Sequence, residues 1–222
     1  MLDATKIQSI IEKLQKEKYD IQSSLIDVLR IARQRLDIKE ILFLEYNIHE
    51  LSDGDNLAIV DKVKILSDRK GIPGSEYVKI ANDIGMIYTS VRKHDLFDIS
   101  KNEIRKEQIV SMPVSGLISD FEKFHRALEG NVIPPGLHPQ DLYFANQKKN
   151  MFDAFYNHQI SVITDILNKV KSFMLTYLID LDEILSNTEG DKQMSTQQTQ
   201  TVFSAVRYRG MIFRTERTSM TI

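Results

Sequence analysis

The chain has 222 residues, a formal charge of −2 at neutral pH, and neither cysteine nor tryptophan. At roughly 150 residues per domain this length makes one domain with an appendage or two small ones. The absence of cysteine excludes disulfides, thiolate metal sites and a cysteine nucleophile, and the near-neutral balance excludes whole-chain attraction to nucleic acid. With 42% hydrophobic and 27% charged residues, the composition is that of a globular chain and not of a disordered one.

Residues 1–50 read as three helices. Ile7, Ile10, Ile11 and Leu14 recur at i, i+3, i+4 and i+7, with Glu12, Lys13 and Lys16 on the opposite face. Asp20 and Ser23 or Ser24 are N-cap candidates for a second run carrying Leu25, Val28, Leu29, Ala32 and Leu36. Asp37 can cap a third, with Ile38, Ile41, Leu42, Glu45, Ile48 and Leu51 along its inner edge. The polar cluster at 52–56 ends this bundle. Residues 57–67 make a fourth helix that gathers Val60, Val63 and Leu66 and stops at Gly71-Ile72-Pro73-Gly74.

The character then changes. Tyr77-Val78-Lys79-Ile80 and Met86-Ile87-Tyr88-Thr89-Ser90-Val91 are rich in β-formers and flank Asn82-Asp83-Ile84-Gly85, which predicts a hairpin. Leu96-Phe97-Asp98-Ile99 adds a short strand. Pro113 suits a first helical turn, after which Val114, Leu117, Ile118, Phe121, His125 and Leu128 form one face and Gly130 a stop. Beyond Pro134-Pro135-Gly136, apolar residues from Ile160 to Leu185 keep a 3.6 period for about seven turns, which predicts a long helix packed on the N-terminal bundle.

The expected fold class is therefore mainly α (α+β): an N-terminal helical bundle, a small β element around 75–100, a long C-terminal amphipathic helix and a β-prone tail. Residues 1–186 form the domain, 187–200 a polar linker, and 201–222 a basic tail. In that tail Arg207, Tyr208, Arg209, Phe213, Arg214 and Arg217 interleave arginine with aromatic residues, a pattern that can stack bases and pair phosphates. Four arginines over 22 residues are a weak nucleic-acid footprint, however, and docking on its own domain or on a neighbouring subunit by strand addition is the favoured reading of the segment.

Catalytic patterns are missing. His49, His94, His125, His138 and His158 lack the spacing that puts two ligands on one helix face, so a metal site would require long-range convergence. Pro73 removes an N–H that a phosphate-binding loop around Gly71 would need, and Ser115-Gly116 sits in an amphipathic helix and not on a nucleophile elbow. The arginine–histidine spacing of the HEPN class of small helical RNases is absent, since Arg92 stands only two positions before His94. Asp180, Asp182 and Glu183 fan around the long helix as a solvated face. The residues thus predict no cofactor and no metal. The periodic segment is broken by Asp165, Lys169, Lys171, Asp180 and Asp182, which excludes a membrane span, and residues 1–6 do not begin a secretory signal. The cytoplasm is the expected compartment.

Three segments resemble the AbiTii family of bacterial abortive-infection proteins. Ser24-Leu25-Ile26-Asp27-Val28-Leu29-Arg30-Ile31-Ala32 is similar to that family's early leucine-rich helix, and Glu45-Tyr46-Asn47-Ile48-His49-Glu50-Leu51 stands where its next helix closes. The stretch from Ile163 through Val170, Phe173, Leu178 and Leu181 to Glu183 is similar to its late helix. The family's tryptophan is replaced near Phe43 and Leu44, and the tail after Ser186 has no counterpart. The resemblance implies phage defence and brings no catalytic residues with it. The expected function is a defence module acting by protein–protein contact, as sensor, adaptor or regulator of an effector. The alternatives are a toxin-like nuclease or nucleic-acid binder using the arginine tail, and a homo-oligomer that exchanges its tail.

Overall fold

The computed structural model describes residues 4–16, 20–49, 55–101 and 103–188. Helix α1 (Ala4–Gln15) buries Ile7, Ile10, Ile11 and Leu14, the stripe its spacing predicts. Helix α2 (Ile21–Arg35) starts at Asp20, whose carboxylate accepts from the backbone N–H groups of Gln22 at 3.0 Å and Ser23 at 3.1 Å. The Ser23 N–H bond holds that carboxyl below the usual aspartate range. Asp20→Ala should lower stability by about 1 kcal/mol. A group with a depressed folded-state pKa contributes above its ordinary value and loses the contribution as pH falls through the depressed one. Urea titrations should therefore show the gap between wild type and Asp20→Ala closing in acid.

Helix α3 (Ile38–Ile48) is the central element. Ile41, Phe43 and Leu44 face one apolar cluster, while Ile38, Leu42 and Tyr46 face another. Glu45, expected on the inner edge, instead lies at the rim, where it pairs with Arg33 at 2.7 Å and Lys62 at 3.9 Å. Between α2 and α3 the chain turns through Leu36 in the left-handed region (φ 55°). The next residue, Asp37, is buried and gathers nearby Arg35 together with Lys70 and Tyr177 from distant segments. Its Oδ2 accepts from Arg35 Nε at 2.9 Å and from the Tyr177 hydroxyl at 2.8 Å, while Lys70 Nζ lies 3.5 Å from Oδ1. Lys70 also donates to the Leu36 carbonyl at 2.9 Å.

Helix α4 (Asp55–Lys70) ends at Gly71 (φ 69°), and a 3-10 turn at Gly74–Glu76 leads into α5 (Tyr77–Arg92). This corrects the hairpin expected at 77–91, which is helical throughout. Ala81, Ile84, Tyr88 and Val91 are the buried positions of α5, and their spacing is helical. Packing of Ala81, Ile84 and Tyr88 on Ile38, Leu42, Tyr46 and Val63, and of Val91 in the larger apolar cluster, overrides the β preference of valine, isoleucine and tyrosine.

The β element follows instead. Strands β1 (Lys93–Asp98) and β2 (Glu103–Ile109) pair antiparallel, with Phe97 opposite Ile104 and His94 opposite Gln108. A register shift between His94 and Leu96 coincides with Glu107 at φ 57°, whose N–H donates to Asp95 Oδ1 at 2.9 Å. The strand predicted at 96–99 is thus present through Asp98. β2 was not predicted, because it alternates nothing apolar and is exposed along its length.

Pro113 is the extended N-cap of α6 (Val114–Gly130), one position before the expected first turn. Gly116 in its first turn lies beneath Met112, whose Cγ would be 2.6 Å from a Cβ placed there. Helix α7 (Pro139–Thr188) has 50 residues and so runs for about 75 Å. It begins well before Ile160, where the sequence periodicity starts. Ile166, Val170, Met174 and Leu178 are fully buried in the cluster that α7 shares with α1 and α2, and the Phe173 ring lies tilted at 34° to Phe43 with centroids 3.9 Å apart. The fold is mainly α with a small central two-stranded sheet, as predicted. The polar linker and basic tail, apart from the end of α7, lie outside the described residues.

Candidate functional site

Three places concentrate polar or unburied chemistry. The first is an internal lock. Arg92, in the last turn of α5, is fully buried. Its Nη1 donates to the Met112 carbonyl at 2.7 Å and the Val110 carbonyl at 3.4 Å, and its Nη2 donates to Asn47 Oδ1 at 2.5 Å. Asn47, itself fully buried on α3, donates to the Phe43 carbonyl at 2.8 Å. All the acceptors are neutral, and the guanidinium carbon lies 5.6 Å from the Tyr88 ring centre. Burial pushes the guanidinium pKa below its usual range, while Tyr88 pushes it back up. Arg92 thereby fastens the connection that leaves β2 to α3, setting where the sheet and α6 sit.

The second is a shallow cleft of about 420 Å³ between the sheet and α7, lined by Lys93, His94, Asp95, Glu107, His158 and Val162. Its histidines come from β1 and from the middle of α7. His94 Nε2 lies 3.0 Å from the Val91 carbonyl and 3.6 Å from Asp165 Oδ2, and His158 Nε2 lies 2.7 Å from the Asp95 carbonyl. Lys169 shares Asp165 at 2.7 Å, and Lys93 pairs with Glu107 at 3.0 Å. The cleft therefore offers acid–base groups already engaged with neighbours. Among the described residues no hydroxyl hydrogen-bonds to either imidazole, and no three His, Asp or Glu side chains converge as metal ligands. The remaining histidines stand apart. His49 ends α3, His125 meets Phe121 edge-on at 4.5 Å, and His138 precedes α7.

The third is the tip of the α6–α7 hairpin. Phe124 of α6 packs on Phe155 and Tyr156 of α7, and Asn131 closes the pair by donating to the Lys149 carbonyl at 3.1 Å and to Asp153 at 2.7 Å. Helix α7 continues beyond this contact towards its N-terminus for about 15 Å, from Lys149 back to Pro139. There Leu142, Tyr143 and Phe144 are exposed in succession, the last two to 59% and 57%, with Val132 of the connecting loop at 75%. Three consecutive apolar side chains point in different directions around a helix, so the projecting turns are apolar on more than one side. Most surface helices hide one such stripe. Sequence periodicity from Ile160 onward did not reach this segment. The succession Leu142-Tyr143-Phe144, unexplained by any one-sided stripe, was the available signal.

The predicted interaction residues Arg207, Tyr208, Arg209, Phe213, Arg214 and Arg217 all lie outside the described residues. Among the described residues no helix is long and apolar enough to cross a membrane. No family model matches the chain, and no curated protein or solved structure matches it.

Proposed function

We propose that this chain is a phage-defence protein of the AbiTii kind that works in the cytoplasm by protein–protein contact, as sensor, adaptor or regulator of an effector. The resemblance of the early and late helices supports the biological role. The exposed Leu142-Tyr143-Phe144 tip supports the mode of action, because an apolar cluster of this kind on a soluble surface marks an interaction site.

The test is phage plating on a bacterial host that expresses the chain, followed by counting survivors at high phage dose. Wild type should protect, and the exposed-site double variant Leu142→Ser/Phe144→Ser should plate like empty vector while keeping its circular dichroism. Protection undiminished by the tip substitutions would remove the tip from the mechanism. Loss of protection only on deletion of residues 187–222 would move the function to the arginine tail.

A further inference from the structure

The tip also carries a pattern specific enough to name its occupant. Asp141, Phe144, Ala145 and Lys148 stand at i, i+3, i+4 and i+7, so they share one face of α7. Asp141 has no ion pair among the described residues, and Lys148 touches only the Phe152 ring, at 5.9 Å from its centre. By contrast, neighbouring Lys149 is paired with Asp153. The face is thus acidic at one end, basic at the other and aromatic-plus-small in the middle. Turned end for end, it complements itself.

We propose that the α7 tip binds a second copy of this chain, the two helices crossing antiparallel about a two-fold axis between Phe144 and Ala145; this rests on the contact reading above. In such a pairing each residue meets the one equally far beyond the centre. Asp141 then faces the partner's Lys148, and Phe144 lies over the partner's Ala145, whose single methyl lets the axes approach to about 8–10 Å. Leu142 and Tyr143 lie roughly 110° and 150° around the helix from the centre of this face and stay outside the crossing. Phe144, exposed to 57%, is the large apolar side chain on that face. A crossing centred on one aromatic side chain from each copy covers less than the ~1,000 Å² of a stable specific interface. The expected dimer is therefore reversible.

Sedimentation of the full chain over a concentration series tests this with two charge reversals, Asp141→Lys and Lys148→Asp. Wild type should show a monomer–dimer equilibrium. Each reversal alone sets like charges opposite each other at both ends of the crossing and should raise the dissociation constant about tenfold or more. An equimolar mixture of the two variants sets unlike charges opposite again and should restore dimerisation. A monomeric wild type overturns the proposal, as does a dimer indifferent to both reversals, or a mixture no better than its components. A monomer whose protection is still lost on Phe144→Ser would leave the contact reading standing with a different occupant, a lipid surface included. A dimer with the mixture rescue but no protection would uphold the pairing and refute the defence role.

Discussion

Arg92→Met is expected to cost about 2–4 kcal/mol of folding stability, a large part of the ~5–15 kcal/mol that a domain commonly has. The loss comes from what remains behind. Without the guanidinium, the buried Asn47 amide oxygen and the half-buried Met112 and Val110 carbonyls lose their donor, and an acceptor left unfilled in the interior costs about 1–3 kcal/mol. Asn47→Leu alone should cost less than Arg92→Met, but it takes from a buried cation its closest acceptor. The double variant Asn47→Leu/Arg92→Met removes the guanidinium and one of its three acceptors together, and it should be more stable than Arg92→Met alone. Urea denaturation of the four proteins, assembled as a double-mutant cycle, reads the coupling directly. Additive effects would mean that the arginine and the asparagine are not one unit.

The second large effect is expected at Asp37. Asp37→Ala leaves Arg35, Lys70 and the Tyr177 hydroxyl around an empty position and should cost about 3–5 kcal/mol, as breaking a buried ion pair from one side does. Tyr177→Phe removes only the hydroxyl donor and should cost about 1.5–3 kcal/mol near neutral pH. The two substitutions also differ in alkali. Burial, then the negative charge of Asp37, push the Tyr177 phenol far above its ordinary value, so the folded protein keeps that proton while the unfolded chain releases it. A raised folded-state pKa contributes fully below the unfolded value of about 10 and is progressively lost as pH rises beyond it, by about 1.4 kcal/mol per pH unit. Wild type should therefore lose stability above pH ~10 more steeply than Tyr177→Phe, with the two curves converging. Parallel curves would mean that Tyr177 ionises freely in the folded state.

Helices whose apolar residues repeat locally were legible in the sequence. The stripes of α1 and α2 and the late part of α7 appear where their spacing put them. Helix α5 was misread for a physical reason: its Val78, Ile80, Ile87 and Val91 favour strands one residue at a time, while Ala81, Ile84, Tyr88 and Val91 form a helical stripe only when counted together. Strand β2 was invisible because Glu103, Arg105, Lys106 and Glu107 make no apolar alternation. Its pairing is fixed from outside, by β1 and by the Asp95 bond to the Glu107 amide. The locks at Arg92 and Asp37 were beyond local reading, since each depends on helices far apart in the chain meeting at one point. Asp37 was recognised as a helix start, yet it makes no capping bond. Its oxygens are turned instead to α2, α4 and α7. The tip was half legible: Gly130 and Pro134-Pro135-Gly136 marked the end of α6 and the bend, but the apolar periodicity that marks α7 begins only at Ile160 and does not show the helix reaching back to Pro139.

That α7 is one unbroken helix gives the molecule an angular gearing. The face carrying Asp141, Phe144, Ala145 and Lys148 and the face carrying Ile166, Val170, Met174 and Leu178 are keyed to the same shaft. Each residue added or removed between them turns one relative to the other by about 100°. A single-residue change of length there would swing the tip a quarter-turn or more away from its bearing, whereas a seven-residue change would bring it back to within about 20°. The length of this segment is thus restricted to steps that restore the angle, about seven, eleven or eighteen residues, and any push or twist received at the tip arrives in the bundle as motion of the entire rod.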